Sequence, residues 1–479
     1  MAALLGILVP ALVPAGSSAQ ASPEQAVVQA MFTSPTVDPS AFAASFTQQI
    51  PVATVQALID GYRKRFGAVK SVGKAGDDYL VTFANGTVLT TIKLDGGGKI
   101  EGLRFHDETS PADTAAVEKV LSAEHVTADW FAPSFLAQIT PAQLDTVLAQ
   151  VRAQEGKFLS LEVRNGLYYA IYEKAENPVH VALDADGRIA ALLLSPPVAR
   201  TASLDDALAK LRAAAPQASY VILEGRTQVA ALDADKPLAV GSAFKLAVLA
   251  ALREQIAAGH SSWRDIVPLR AADKSLPSGT YQDWPDGAPI TLDTYAAQMI
   301  SISDNTAADA LMHVVGKAAL EALAPRNTPF LTTREMFALK SKDATSLRAE
   351  WRAGNVAQRR AILARIDAGP APSLEQFDEN PAYVDIEWYF SARELCALMA
   401  RVQDLPLMTI NPGFPKGAWK RVAFKGGSDI GALNLTSYVT AADGRSYCVA
   451  ATFNDDRKPI DDSGAEAAYG AVLQQLSRR

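Results

Sequence analysis

From about residue 23 to residue 198 the apolar positions follow two different periods in turn, and the sequence of periods occurs twice. Val52, Val55, Leu58, Ile59 and Tyr62 fall at the i, i+3, i+4 spacing of a helix, as do Leu144, Val147, Leu148 and Val151 further on. Each helical stretch gives way to strand-like runs, at residues 79–83, 87–92 and 100–105 in the first copy and at 159–163, 167–172, 179–183 and 189–194 in the second. A single shift of 89 positions superposes the copies. It brings Phe42 and Phe46 onto Phe131 and Phe135, Ile50 onto Ile139, Gly67 onto Gly156, Phe83 onto Tyr172, Asp95 onto Asp184, Gly98 onto Gly187 and Ile100 onto Ile189. The pattern predicts a duplicated α+β unit, residues 22–108 and 109–198, with helices packed on a curved antiparallel sheet. Asp95 and Asp184 are the aspartates the shift superposes, and both sit in glycine-rich turns where aspartate is a turn former. A structural role, or the binding of an unidentified partner, is expected for both copies.

Pro196-Pro197 then marks a linker, and the pattern changes. Ser203-Leu204-Asp205-Asp206 is a capping signature that opens a helix running to about residue 215. Residues 220–223 and 227–232 read as a hairpin about Glu224-Gly225-Arg226. An apolar helix follows Ser242 and ends near Gly259, and residues 291–300 form another amphipathic helix. A long charged helical stretch over 331–368 stops at Gly369-Pro370; strands follow at 419–424, 432–440 and 447–453, and a helix over 464–476 closes the chain. Terminal helices against one sheet, with a mostly helical insert, predict an α/β sandwich over residues 199–479.

Composition narrows the function classes. A net charge of −7 without a long basic run argues against a nucleic-acid partner. The two cysteines, Cys396 and Cys448, have no metal-type spacing, so no metal and no zinc chemistry is expected. They are read as two isolated core thiols, with a single bridge as the alternative. Residues 4–13 form an apolar stretch and Ala19-Gln20-Ala21 a small-residue cleavage site, so residues 1–21 read as an export signal. No later apolar run reaches the roughly 18–20 residues of a membrane span. A periplasmic or secreted protein is expected.

The candidate chemistry begins at Ser242-Ala243-Phe244-Lys245, where a serine and a lysine three residues apart share one face of a helix start. A buried lysine has a depressed pKa and can take the serine proton. Alone, the pair is weak, since a serine at a helix start is usually a cap. Ser303-Asp304-Asn305 follows 61 residues later and Lys425-Gly426-Gly427-Ser428 lies 122 beyond Ser303. Ser-x-x-Lys, Ser-Asp-Asn and Lys-[Thr/Gly]-Gly in this order resemble the penicilloyl-serine-transferase superfamily, and most of all the class A β-lactamases. The resemblance covers about residues 203–479. The two repeats lie outside it and resemble, in architecture only, small cystatin- or steroid-isomerase-like modules. The fold expected is therefore α+β in three domains: two small tandem modules, then a sandwich of an antiparallel sheet flanked by helices, with an all-helical subdomain.

The resemblance implies roles. Ser242 is the nucleophile, Lys245 its base, Ser303 a proton relay to the leaving group and Lys425 a positive charge for a substrate carboxylate. It assigns Asn305 to a substrate carbonyl, Gly427 to close substrate approach, and the N–H groups of Ser242 and Ser428 to an oxyanion hole. Asp304 caps the loop, and Tyr281 or Trp284 offers an aromatic wall. No cofactor is implied. Two departures matter. The Glu-x-x-Leu-Asn motif that holds the deacylating water in class A enzymes is missing, Glu335 being the nearest substitute, and Lys-Gly-Gly lacks the hydroxyl of Lys-Thr-Gly. The expected activity is hydrolysis of a cyclic amide or ester of a small molecule through an acyl-serine, β-lactamase-like. The alternatives are a weak esterase or D,D-peptidase with little β-lactam turnover, and a protein that binds β-lactams or cell-wall fragments without turnover.

Overall fold

The structure is a computed structural model that describes residues 22–75, 78–164, 166–184, 186–276, 278–377, 382–414 and 419–479. The predicted export signal lies outside the described residues. The chain divides into two compact units, residues up to Pro111 and Ala112–Arg479.

The first unit opens with helix α1 (Pro23–Thr33), whose N-terminus Ser22 caps by accepting from Gln25 N–H. Helix α2 (Val52–Phe66) ends at Gly67, which takes φ 82° and lets the chain turn away. A meander of four antiparallel strands follows: β1 (Val69–Ala75), β2 (Asp78–Phe83), β3 (Thr87–Leu94) and β4 (Ile100–Thr109). Val55, Ile59 and Phe66 from α2 pack with Val81, Phe83 and Val88 in one core.

The second unit begins with the same plan. Helices α3 (Pro111–Ser122) and α4 (Pro141–Glu155) precede strands β5 (Phe158–Arg164), β6 (Leu167–Tyr172), β7 (Ala175–Leu183) and β8 (Ile189–Leu194). Corresponding elements keep the 89-residue offset into the hydrogen-bond register: Val81 faces Val88 as Ala170 faces Asn177, and the lone parallel bridge Phe42–Ile100 has its counterpart in Phe131–Ile189. Thr140 and Gln143 form a capping box at the start of α4. Residues 198–199 do not form a free linker. They make a short strand, β9 (Val198–Ala199), on β7.

The rest of this unit is a sandwich. Helix α5 (Leu204–Ala213) leads to the hairpin β10 (Gln217–Glu224) and β11 (Thr227–Leu232), then to helices α6 (Lys245–Ala257), α7 (Leu292–Ser301), α8 (Asn305–Val315), α9 (Thr333–Lys340) and α10 (Ala392–Val402). Strands β12 (Trp419–Asp429), β13 (Ala432–Ala441) and β14 (Ser446–Asn454) and helix α11 (Asp462–Ser477) close the chain. The sheet is antiparallel in the order β11-β10-β14-β13-β12, so the N-terminal hairpin pairs with the last strand. One face carries α5 and α11 with Leu211, Phe453 and Val472; the other carries α6 and α10 with Val221, Leu249 and Leu395. Residues 245–252 are buried without interruption, which explains why α6 is apolar on every side.

Three expectations change. The charged stretch after residue 331 is not one helix but three, Thr333–Lys340, Thr345–Ala353 and Val356–Asp367. Ser341 breaks it by capping a short 3-10 turn, and Gly354 with the Asn355–Gln358 capping box breaks it again. Strand β12 does not end before Lys425 but runs to Asp429, because residues 425–429 stay in register with 432–436 of β13. Cys396 and Cys448 are not isolated thiols; they form a disulfide between α10 and β14, 52 residues apart.

Closing a loop of that length restricts the unfolded chain by about 4 kcal/mol in the chain-entropy account. Cys396→Ser with Cys448→Ser is expected to lower the melting temperature by roughly 5–15 °C. Thiol titration of the denatured protein should find no free thiol before reduction and both cysteines after it; both titrating before reduction would contradict the bridge.

Candidate active site

Ser242 sits on a turn forced into place from two sides. Gly241 adopts φ 48° and starts the 3-10 turn Gly241–Phe244, from which α6 continues. Val240 N–H donates to Trp388 O at 3.0 Å, and the Trp388 ring stacks on Phe244 with centroids 3.8 Å apart. On the other side β12 presses against the turn, since a Cβ on Gly427 would lie 2.2 Å from Val240 O and 2.5 Å from Ser242 N. These contacts leave Ser242 half-buried and Lys245 fully buried one turn later.

Lys245 Nζ lies 3.1 Å from Ser242 Oγ, 2.5 Å from Ser303 O, 2.7 Å from Asn305 Oδ1 and 3.1 Å from Ser303 Oγ. A carbonyl and an amide oxygen can only accept, so two N–H bonds of the amine go to Ser303 O and Asn305 Oδ1. A neutral amine then has its lone pair free for the hydroxyl proton of Ser242 or Ser303. Burial holds the Lys245 pKa well below the usual lysine value, and the nearby Lys425 charge adds to the effect. The charges of the nearby Asp304 and Asp309 oppose the shift but are outweighed by it. The site thus favours the protonation state that a base requires.

The second motif is a strained loop. Ser303 takes φ 59°, rare for a non-glycine residue, and its carbonyl accepts from Ser278 Oγ as well as from Lys245. Asp304 fixes the loop: its buried carboxylate accepts from the N–H groups of Ala307, Thr280 and Tyr281. Gly279, at φ 98°, lies so close that a Cβ would be 2.2 Å from the Asp304 carboxylate. Ser303 Oγ bridges the two lysines, 3.1 Å from Lys245 Nζ and 3.0 Å from Lys425 Nζ. Ser242, Lys245, Ser303 and Lys425 therefore form one connected chain of hydrogen bonds. Burial pushes the Lys425 pKa down to about 7.

Several sequence expectations are corrected here. Asn305 does not present its amide to substrate: Oδ1 takes Lys245, and Nδ2 donates to Leu276 O at 2.9 Å, so it orients the lysine. Gly427 is buried against the Ser242 turn, and its missing side chain makes room for protein backbone rather than for substrate. Ser428 is exposed at the cleft side of β12 and donates its hydroxyl to Asp462 Oδ2 at 2.9 Å. Tyr281 is only 3% exposed, packed on Tyr295 and Trp284, whereas Trp284 is 44% exposed. Glu335 is fully buried in a capping box with Thr332 and pairs with Lys317 at 2.5 Å, apart from the serine–lysine chain.

Two functional neighbours were missed. Asp309, buried on α8, accepts from Thr333 N–H and Arg334 N–H and ties α9 to the helix that carries Asn305; burial pushes its pKa up to about 7. Its spacing of four from Asn305 was the available signal. Lys340 pairs with Glu387 at 2.6 Å and Asp429 at 2.5 Å at the end of β12, uniting three segments with no local sequence signal.

Residues 201–357 match the model of the beta-lactamase enzyme family. Similar solved structures include a beta-lactamase from Sphaerobacter thermophilus (20% identity, covering 57% of this chain and 95% of that one, TM-score 0.41). PBP-A (17%, 57% and 94%, TM-score 0.39) and a beta-lactamase from Chitinophaga pinensis (15%, 57% and 97%, TM-score 0.40) are also similar. No curated protein matches the chain. The family match includes Ser242, Lys245 and Ser303–Asn305.

The buried lysines carry a stability cost with a definite pH sign. The folded Lys425 pKa of about 7 lies below the unfolded value of about 10.4, so the folded chain binds this proton less tightly. The cost is full below pH 7 and fades as pH rises towards about 10.4. Lys425→Met is expected to raise the melting temperature by roughly 3 °C or more at pH 6, and by less at pH 9.5, while slowing serine acylation by anionic substrates. Calorimetry at the two pH values checks this; equal or opposite shifts would contradict the buried-charge account.

Proposed function

We propose that this β-lactamase-like serine hydrolase acylates Ser242 with the carbonyl of a cyclic amide or an ester and releases the acyl group slowly. The observation that carries the reading is the position of Lys245 Nζ, held by Ser303 O and Asn305 Oδ1 with Ser242 Oγ at 3.1 Å. As Ser242 Oγ attacks, its proton passes to the Lys245 amine. The tetrahedral oxyanion is stabilised by the Ser242 and Ser428 N–H groups, a contribution of about 3 kcal/mol per donor. Ser303 Oγ, between the two lysines, then hands a proton to the leaving nitrogen or oxygen, and the acyl ester remains on Ser242. Lys425, when protonated, attracts an anionic substrate group at the same end of the site.

Water attack on that ester needs a second base. Glu335 is committed to Lys317 and the Thr332 cap, and Asp309 to the start of α9. This favours a penicillin-binding, D,D-peptidase-like or slow esterase behaviour over fast β-lactam turnover. The Cys396–Cys448 bridge supports export to an oxidising compartment, periplasmic or secreted.

Intact-protein mass spectrometry tests the reading. Mixed with benzylpenicillin or an activated thioester, the wild type should gain one acyl adduct that persists for many minutes, and Ser242→Ala should gain none. Absence of any Ser242-dependent adduct would overturn the acyl-serine assignment. Rapid clearance in the wild type that Glu335→Gln abolishes would overturn the slow-release part and make Glu335 the water base.

A further inference from the structure

The two repeated modules differ where their plan is otherwise the same. In the first, α2 and the sheet close on an aromatic cluster: Tyr62 stacks on Phe66 with centroids 6.2 Å apart, and Phe105 meets Tyr62 edge-on at 5.6 Å. Phe66 and Val88 are fully buried there. The same register places Val151, Glu155, Asn177 and Leu194 at the corresponding positions of the second module. Three rings and a valine have become an aliphatic pair, a carboxyl group and an amide.

Beside these positions lies a cavity of about 670 Å³, partly open to solvent, walled by Leu144, Leu148 and Val151 of α4 and Leu192 and Leu194 of β8, with Ser463 and Glu466 of α11 lining it as well. That volume suits a small molecule. Glu155 and Asn177 line it too, though they are only 5% and 2% exposed. Asn177 Nδ2 donates to Ser195 O and to Glu155 Oε1, both at 3.2 Å. Because Ser195 O can only accept, the amide orientation is fixed, and Asn177 Oδ1 is an acceptor. It has no hydrogen-bond partner, and neither has Glu155 Oε2. Two adjacent buried acceptors without a donor are costly and uncommon in a folded chain. Burial also raises the Glu155 pKa.

We infer that the second module is a binding site for a small, largely apolar molecule whose polar end donates a hydrogen bond, through a hydroxyl or an N–H, to Asn177 Oδ1 and Glu155 Oε2. The aliphatic walls take the body of the ligand and the orphan acceptors take its head. The first copy packs Phe66 and Val88 where the second places Glu155 and Asn177. The site is separate from Ser242. Its α11 wall begins next to Asp462, which accepts from Ser428 at the hydrolase cleft.

The test uses the full chain and N-phenyl-1-naphthylamine, a neutral fluorescent probe with one N–H donor, beside its N-methyl derivative, which lacks the donor. The wild type should bind the amine at one site with enhanced fluorescence, and bind the N-methyl compound at least fivefold more weakly. Glu155→Phe with Asn177→Val rebuilds the lining of the first module. It should weaken probe binding at least tenfold while the melting temperature holds or rises, since two orphan acceptors are gone. Should that variant fail to fold, Val151→Phe, which narrows the cavity from its wall, should weaken binding by the same order. Ser242→Ala should bind the probe as the wild type does. No single-site binding, equal affinity for both probes, or binding that survives the cavity-filling change would each overturn the proposal.

Discussion

The structure of the Ser242–Lys245 site depends on removing one amine from water. Lys245 is fully buried on a helix that is apolar on every side, so its charged form loses solvation while its neutral form loses little. The acceptors that surround it, a carbonyl and an amide oxygen, orient the amine without supplying a compensating carboxylate. Keeping those acceptors in place is the task of the neighbouring loop. Ser303 holds an unfavourable backbone conformation so that its carbonyl and hydroxyl both face the lysine, and Asp304 ties that conformation to three backbone N–H groups. Gly279 and Gly427 then let two further segments approach closely enough to complete the wall.

Much of this was legible in the sequence, for identifiable reasons. The duplicated modules showed because aromatic and turn-glycine positions keep one spacing, and the same glycines, Gly67, Gly98, Gly156 and Gly187, all take positive φ. Ser242, Lys245, Ser303 and Lys425 were found because each belongs to a short motif, and the geometry joins all four. The role of Asn305 was misread because its identity does not reveal which way its amide faces; that follows from Leu276 O, 29 residues away in sequence. The disulfide and the Lys340–Glu387–Asp429 cluster were not legible either, since both join segments whose proximity only the sheet order creates. Tyr281 read as an exposed wall because aromatic residues in a loop carry no sign of which one is covered.

The two halves of the second unit share a theme. In the Ser242–Lys245 site a buried amine has its remaining direction towards Ser242 Oγ. In the second module, Glu155 Oε2 and Asn177 Oδ1 are buried acceptors without a partner, on residues that line a cavity. By contrast, Glu335 and Asp309 are buried acids whose partners are complete, and both serve the framework that carries Asn305. The distinction between a satisfied and an unsatisfied buried group separates architecture from function across this chain more sharply than residue type does.

The central claim is that burial lowers the Lys245 pKa and so lets its amine serve as the base for Ser242. The most direct measurement is the rate constant for acylation of Ser242 by a neutral activated ester as a function of pH, with Ser242→Ala as the blank. A neutral substrate removes any contribution from charge attraction by Lys425. The account predicts that acylation rises with pH through an inflection well below the ordinary lysine value of about 10.4 and has levelled off before it. An inflection at about 10.4, or a rate proportional to hydroxide over the whole range, would contradict it.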